Sequence, residues 1–190
     1  MTDTGGVHVD RPDDRIVRIR IDRPPVNALG VASQRALSAA FREADEDLDV
    51  RVVVLGGSGR SFCAGADLRE EQDLQGDGDD DVDDFLVGLG VLFHRIQHHR
   101  VPVVAAVNGA AHGGGLELAL ACDIRIGCES TSFGAAGVNV GLVANFASLA
   151  RAVGDARARH LLLTGWSSRG RDAFDAGLVN EFVDDDRVHD

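Results

Sequence analysis

Val101-Pro-Val-Val-Ala-Ala-Val-Asn-Gly-Ala-Ala-His-Gly-Gly-Gly-Leu-Glu-Leu-Ala-Leu-Ala-Cys-Asp123 decides the reading of this chain. A short apolar run, bounded by Pro102 and Asn108, reads as a buried strand. Three glycines, Gly113, Gly114 and Gly115, then open an apolar helix. The first N–H groups of a helix have no partner within it, and the dipole there favours negative charge. A strand running into bare glycine N–H groups can therefore hold a phosphate, or an oxyanion that exists only during a reaction. Glu117 follows Gly114 by three residues, so one helical turn brings its side chain back beside those donors. Leu116, Leu118, Ala119, Leu120 and Ala121 make the helix apolar nearly all round, which points to a buried Glu117 with a raised pKa suited to proton transfer.

A second segment repeats the pattern. In Arg51-Val-Val-Val-Leu-Gly-Gly-Ser-Gly-Arg-Ser-Phe-Cys-Ala-Gly-Ala-Asp-Leu68, an apolar strand leads into a loop of small residues. Two such strand ends could aim backbone N–H groups at one atom. Together, Ser61-Phe-Cys-Ala-Gly-Ala-Asp-Leu68, Pro102-Val-Val-Ala-Ala-Val-Asn-Gly109 and Gly113-Gly-Gly-Leu-Glu-Leu-Ala119 with Cys122-Asp-Ile124 resemble the enoyl-CoA hydratase/isomerase, or crotonase, superfamily. Phe133-Gly134 and Leu163-Thr-Gly165, with Ala173 and Ala176-Gly-Leu-Val179, continue it in the same order, from about Ile16 to Val183.

The pattern of the remaining chain gives an α/β class. Arg15 to Ile21 alternates, with Val17, Ile19 and Ile21 on one face, as a half-buried strand does. Val31 to Ala44 carries Leu37, Phe41 and Ala44 on a helical stripe. Val52 to Leu55, Val103 to Val107 and Ile124 to Gly127 read as buried strands. Phe85 to Ile96 reads as a helix, and Ala144 to Val153 and Asp155 to Leu163 as two more, broken at Gly154 with Asp155 as N-cap. Strands alternating with helices imply a layered α/β fold. The resemblance implies more: a single domain over residues 1–190 wound as a spiral of ββα units. It also implies that family members continue with further helices beyond the point where this sequence ends. On that basis Leu149, Val153, Leu161 and Leu162 are expected to form an uncovered apolar strip, and assembly into a homotrimer or dimer of trimers is expected.

Composition sets bounds. The net charge is −12, and all 19 basic residues other than histidine are Arg. No basic stripe is visible, which disfavours nucleic acid as a partner. No apolar run approaches the roughly 20 residues that span a bilayer. Cys63, Cys122 and Cys128 lack metal-ligand spacing and read as small core residues in a reducing cytoplasm, so no metal is expected. Residues 70–84 hold nine Asp or Glu, with like charges that should keep a connector open.

The resemblance implies an acyl-CoA thioester as substrate, with coenzyme A arriving as part of it and no separate cofactor. It implies Ala66 and Gly114 N–H groups as an oxyanion hole for the thioester carbonyl, and Glu117 as acid/base. Around the substrate it places Asn27, Ala28, Ala64, Asp67, Leu68, Gly113, Asn139 and Asn145. For Asp67 and Asp123, hydrogen bonds to backbone are the stronger reading, and for Asn139 and Asn145 turn or cap chemistry is at least an equal one. His112 reads as a spacer, His94, His98 and His99 as solvated, and Arg69 as a phosphate partner or a plain surface residue.

One departure stands out. Family hydratases carry a second Glu in a Phe-Gly-x-Pro-Glu segment, where this chain has Phe133-Gly-Ala-Ala-Gly137. Hydration needs one group to activate water and another to handle the second proton, and Gly137 removes one. The expectations are therefore an enoyl-CoA hydratase/isomerase-type enzyme that stabilises a thioester enolate, a catalytically impaired acyl-CoA-binding homologue, or single-carboxylate chemistry such as decarboxylation or thioester hydrolysis.

Overall fold

The computed structural model describes residues 6–70, 79–140 and 145–189. Along the described chain run β1 (Val7–Asp13), β2 (Ile16–Ile21), α1 (Val31–Glu46), β3 (Val52–Gly57), β4 (Ser61–Cys63), α2 (Asp79–Gln97), β5 (Val103–Val107), β6 (Ala110–His112) and α3 (Gly114–Ala121). They are followed by β7 (Ile124–Gly127), β8 (Ser132–Gly134), a 3₁₀ turn over Ala136–Val140, α4 (Phe146–Val153), α5 (Asp155–Thr164), β9 (Ser167–Arg169), α6 (Gly170–Asp175) and β10 (Glu181–Phe182).

Two sheets result. One has six strands in the order β1-β2-β3-β5-β7-β10, and the other four in the order β4-β6-β8-β9. In the larger sheet β1 and β2 are antiparallel, and every later pairing is parallel. Register runs Ile19 to Leu55, Leu55 to Ala105 and Ala105 to Arg125 across four neighbouring strands. In the smaller sheet Ala110 lies beside both Ser61 and Ser132. Each of β3, β5 and β7 in the first sheet is thus followed at once by β4, β6 or β8 in the second. This is the expected spiral of ββα turns.

Apolar patterning explains the layers. Ile19, Ile21, Val53, Leu55, Val103 and Val107 are fully or almost fully buried, and Leu37, Phe41, Leu92 and Ile96 cover them from α1 and α2. Leu116 and Leu118 of α3 complete the core. Burying a side chain of this size contributes roughly 1.5–3 kcal/mol each.

Several expectations need adjustment. Helix α2 begins at Asp79 instead of Phe85, so residues 79–84 of the expected acidic connector are helical. Negative residues are favoured at a helix N-terminus. Residues 71–78 lie outside the described residues. The N-cap of α5 is Gly154, with Asp155 one step inside. Helix α4 starts at Phe146, capped by Asn145. His99 is not solvated: its ring nitrogens sit 3.1 Å from the Val101 and Phe41 carbonyls, and its ring packs edge-on against Phe41. In the expected apolar strip, Leu149 and Leu161 are buried and Val153 and Leu162 partly so. The large apolar side chains left in solvent nearby are Leu163 and Trp166, at 75% and 64% exposure. Among the described residues no helix is long and apolar enough to cross a membrane.

Candidate active site

The site lies where β4 and β6 of the small sheet deliver their ends to α3. Gly115 packs against the Cys63 carbonyl, where any Cβ would collide. That contact draws the start of α3 onto the end of β4. Gly65 completes the approach with φ +97°, a backbone state that L side chains avoid. A Cβ on Gly65 would fall 2.7 Å from the Gly114 nitrogen, and one on Gly114 would fall 3.5 Å from the Ala66 nitrogen. The two amide nitrogens are therefore close neighbours. Gly113 is held from behind by its N–H bond to the Gly134 carbonyl, 2.9 Å.

Among the described residues, neither the Ala66 nor the Gly114 N–H has a hydrogen-bond acceptor. Ala66 is bridged to Leu29 in parallel fashion, but the bonds run from Leu29 N–H to Gly65 O and from Asp67 N–H to Leu29 O. Its own N–H is left over. Gly114 stands at the first position of α3, where no intrahelical bond is available.

A cavity of about 460 Å³ opens in front of these donors. Ala64, Ala66, Gly113, Gly114 and Glu117 form its polar end, and Leu68, Leu86, Leu89, Gly90 and Phe93 its apolar wall. Ala136, Gly137 and Asn139 complete the lining. The size is that of a small-molecule site. Glu117 is half-buried. Burial pushes its carboxyl above the ordinary value of 4.5, and the Asn145 backbone N–H draws it back in part.

The structure gathers Ala64, Ala66, Leu68, Gly113, Gly114, Glu117 and Asn139 around one cavity. The remaining residues named from the sequence are not among those that line it. Asn27 is buried at φ 57°, and its amide donates to the Ser58 and Ser61 carbonyls at 2.9 and 2.7 Å. The Ala28 carbonyl accepts from Arg23 at 3.0 Å, and Asp67 forms an ion pair with Arg23 at 2.6 Å. The Asn145 side chain accepts the Ser148 N–H at 3.2 Å as a helix cap. Asp123 accepts the Val103 N–H. His112 turns its Nε2 to Ser132 Oγ at 3.0 Å. Burial, and secondarily Arg169, hold its pKa below 6.5. Arg69 is exposed. Reading the sequence missed the wall of α2, Leu86, Leu89, Gly90 and Phe93, because nothing in the sequence says which helix face meets a cavity and which meets the core. It also missed Arg23.

The sequence profile of the family described as enoyl-CoA hydratase/isomerase matches residues 12–190. The chain belongs to the enoyl-CoA hydratase/isomerase family. A probable enoyl-CoA hydratase of Bacillus subtilis is 39% identical over 172 residues, which are 88% of this chain and 66% of that protein. One from Rhizobium meliloti is 38% identical, over 92% of this chain and 67% of its own length. The chain thus spans about two thirds of the curated relatives it matches. The crystal structure of an enoyl-CoA hydratase from Bacillus anthracis superposes with a TM-score of 0.91 at 32% identity, covering 96% of this chain and 72% of that one.

Proposed function

We propose that this member of the enoyl-CoA hydratase/isomerase family binds an acyl-CoA thioester, holds its carbonyl oxygen between the Ala66 and Gly114 N–H groups, and stabilises the enolate. One observation carries the reading: two neighbouring N–H groups, without acceptors among the described residues, belong to residues that line the same cavity as a half-buried carboxylate. When Glu117 takes a proton from the carbon next to the carbonyl, the C–H electron pair becomes the new C=C bond. The carbonyl π pair then moves onto oxygen. Each preset donor at such an oxygen contributes about 2.7–4 kcal/mol. The raised pKa of Glu117 suits it to accept that proton and return it.

Gly137 lines the same cavity as Glu117 and brings no side chain. Hydration therefore lacks its second proton-handling group, and Asn139 cannot shuttle a proton at neutral pH. We favour single-carboxylate chemistry, such as isomerisation, decarboxylation or thioester hydrolysis, over hydration. Coenzyme A enters as part of the substrate, and the steps assigned to Ala66, Gly114 and Glu117 require no other cofactor. The three free, buried thiols suit the cytoplasm, and we assign the working form to a homo-oligomer.

The test is exchange. Butyryl-CoA in D₂O should take up deuterium next to its carbonyl in the presence of the protein, read by mass spectrometry, and Glu117→Gln should slow this about 10²–10⁴-fold. Crotonyl-CoA hydration should be weak and should rise in Gly137→Glu. Binding without exchange would favour a homologue that holds acyl-CoA but no longer turns it over. Hydration at the rate of a two-carboxylate enzyme would overturn the single-carboxylate assignment.

A further inference from the structure

The placement of the Ala66 N–H depends on a segment far from it in sequence. Its strand pairing consists of two bonds to Leu29, so Ala66 sits wherever residues 23–31 put it. Arg23 ties that segment down. Its backbone N–H donates to Asn27 Oδ1 at 2.9 Å, and its carbonyl accepts the Asn27 N–H at 2.8 Å. Its guanidinium Nη1 reaches the Ala28 carbonyl at 3.0 Å and Asp67 Oδ2 at 2.6 Å, and Nη2 reaches Glu70 Oε1 at 2.8 Å. The other Glu70 oxygen accepts the Val31 N–H at 2.9 Å, at the start of α1. Gly30 leaves room for that carboxylate, where any Cβ would collide with it. One planar fork thus joins the turn before α1, the residue directly after Ala66, and the residue that caps α1. Leu68, which lines the cavity, lies between the two clamped carboxylates.

We propose that Arg23 is a positioning residue, whose guanidinium sets the place of one carbonyl-binding N–H, that of Ala66, and of the Leu68 wall of the cavity. This rests on the enolate reading given above. Arg23 does not serve as a partner for a phosphate of the substrate. Its donors already face two carboxylates, and the cluster they form is net negative, which repels a polyanion. Burial raises the Asp67 carboxyl, but the Arg23 guanidinium and the Arg69 N–H outweigh this and hold it below 3.8. Asp67 is thus a carboxylate near neutral pH. Lys would keep the charge but not the fork, since a single ammonium cannot span two carboxylates and a carbonyl in one plane. Without any cation, Asp67 and Glu70 would repel each other across the Leu68 turn and draw Ala66 out of line.

The experiment uses a conjugated probe, 4-dimethylaminocinnamoyl-CoA, whose absorption moves to longer wavelength when its carbonyl is polarised, with free coenzyme A as a second ligand. At saturation the native chain should show the red-shift. Arg23→Gln should lose most of it, and Arg23→Lys a large part, while Kd for coenzyme A stays within about twofold. Asp67→Asn removes one arm of the clamp and should give a smaller loss, which keeps the test open if Arg23→Gln does not fold. A full red-shift in folded Arg23 variants would overturn the clamp and leave the enolate reading intact. A large rise in Kd for coenzyme A with the red-shift kept would make Arg23 a phosphate contact and overturn it as well. No red-shift in the native chain would remove the enolate reading and the clamp with it.

Discussion

Glu117 has a carboxyl that folding pushes upward, and the consequence for stability has a definite sign. Its unfolded value is near 4.5, and burial holds the folded value above that. Below the unfolded value both states carry the proton, and Glu117 costs nothing. Between the two values the folded chain holds the proton more tightly, so stability falls as pH rises through this window, and the loss persists above it. Glu117→Gln carries no such penalty. The variant should match the native melting temperature at pH 4 and exceed it at pH 8, in a series measured by circular dichroism. His112, whose pKa is lowered, titrates in both proteins and cancels from the difference. A variant less stable than the native chain at pH 8 would mean that the hydrogen bond from the Asn145 N–H to the ionised carboxylate outweighs the cost of its burial. At this scale the sequence was informative where spacing alone fixes neighbours. Glu117 could be placed beside Gly114 from three intervening steps of a helix. Asn27 and Arg23 could not be placed, because the Ser58, Ser61 and Glu70 groups they also bond lie 31 to 47 residues away and only the fold brings them together.

Helix α2 supplies the apolar wall of the cavity. Its Phe85, Leu92 and Ile96 side chains enter the core, while Leu86, Gly90 and Phe93 turn to the cavity and Leu89 serves both. Gly90 is unusual for the interior of a helix. Glycine there costs about 1 kcal/mol relative to Ala, and a Cβ at this position would meet nothing within 4 Å. The open space is cavity. Gly90→Ala should therefore raise stability by about 1 kcal/mol in urea unfolding with acyl-CoA binding little changed. Gly90→Phe should fill the space, weakening decanoyl-CoA while sparing butyryl-CoA, as titration calorimetry would show. Equal effects on the two ligands would place the acyl chain elsewhere. The longer elements were readable because their apolar residues repeat at 3.6 or 2. Strands β4, β6, β8 and β9 have three residues each, too few for a period to register. Strand β1 was missed because its outward face is polar and only Val7 is buried.

The spiral topology came from the order of motifs and not from periodicity, since the same alternation of strands and helices fits several α/β arrangements. What the order of motifs could not fix was the outer surface. The strip expected on α4 and α5 is partly inside: Leu149 packs at 1% exposure and Leu161 at 6%. The exposed apolar groups lie instead at the end of α5 and just before β9, with Leu163 at 75% and Trp166 at 64%, and in the 3₁₀ turn over Ala136–Val140, with Val138 at 40%. Large apolar groups left together in solvent mark an association surface or an aggregation risk. The homo-oligomer proposed above would use this face. Trp166 is the one Trp of the chain, so its emission reports this face alone. On raising the concentration into the micromolar range, the emission should move to shorter wavelength as light scattering records a growing mass. Leu163→Glu should hold both signals at their dilute values. Emission that stays at the exposed wavelength, with a monomer mass throughout, would show that this face takes no part in self-assembly.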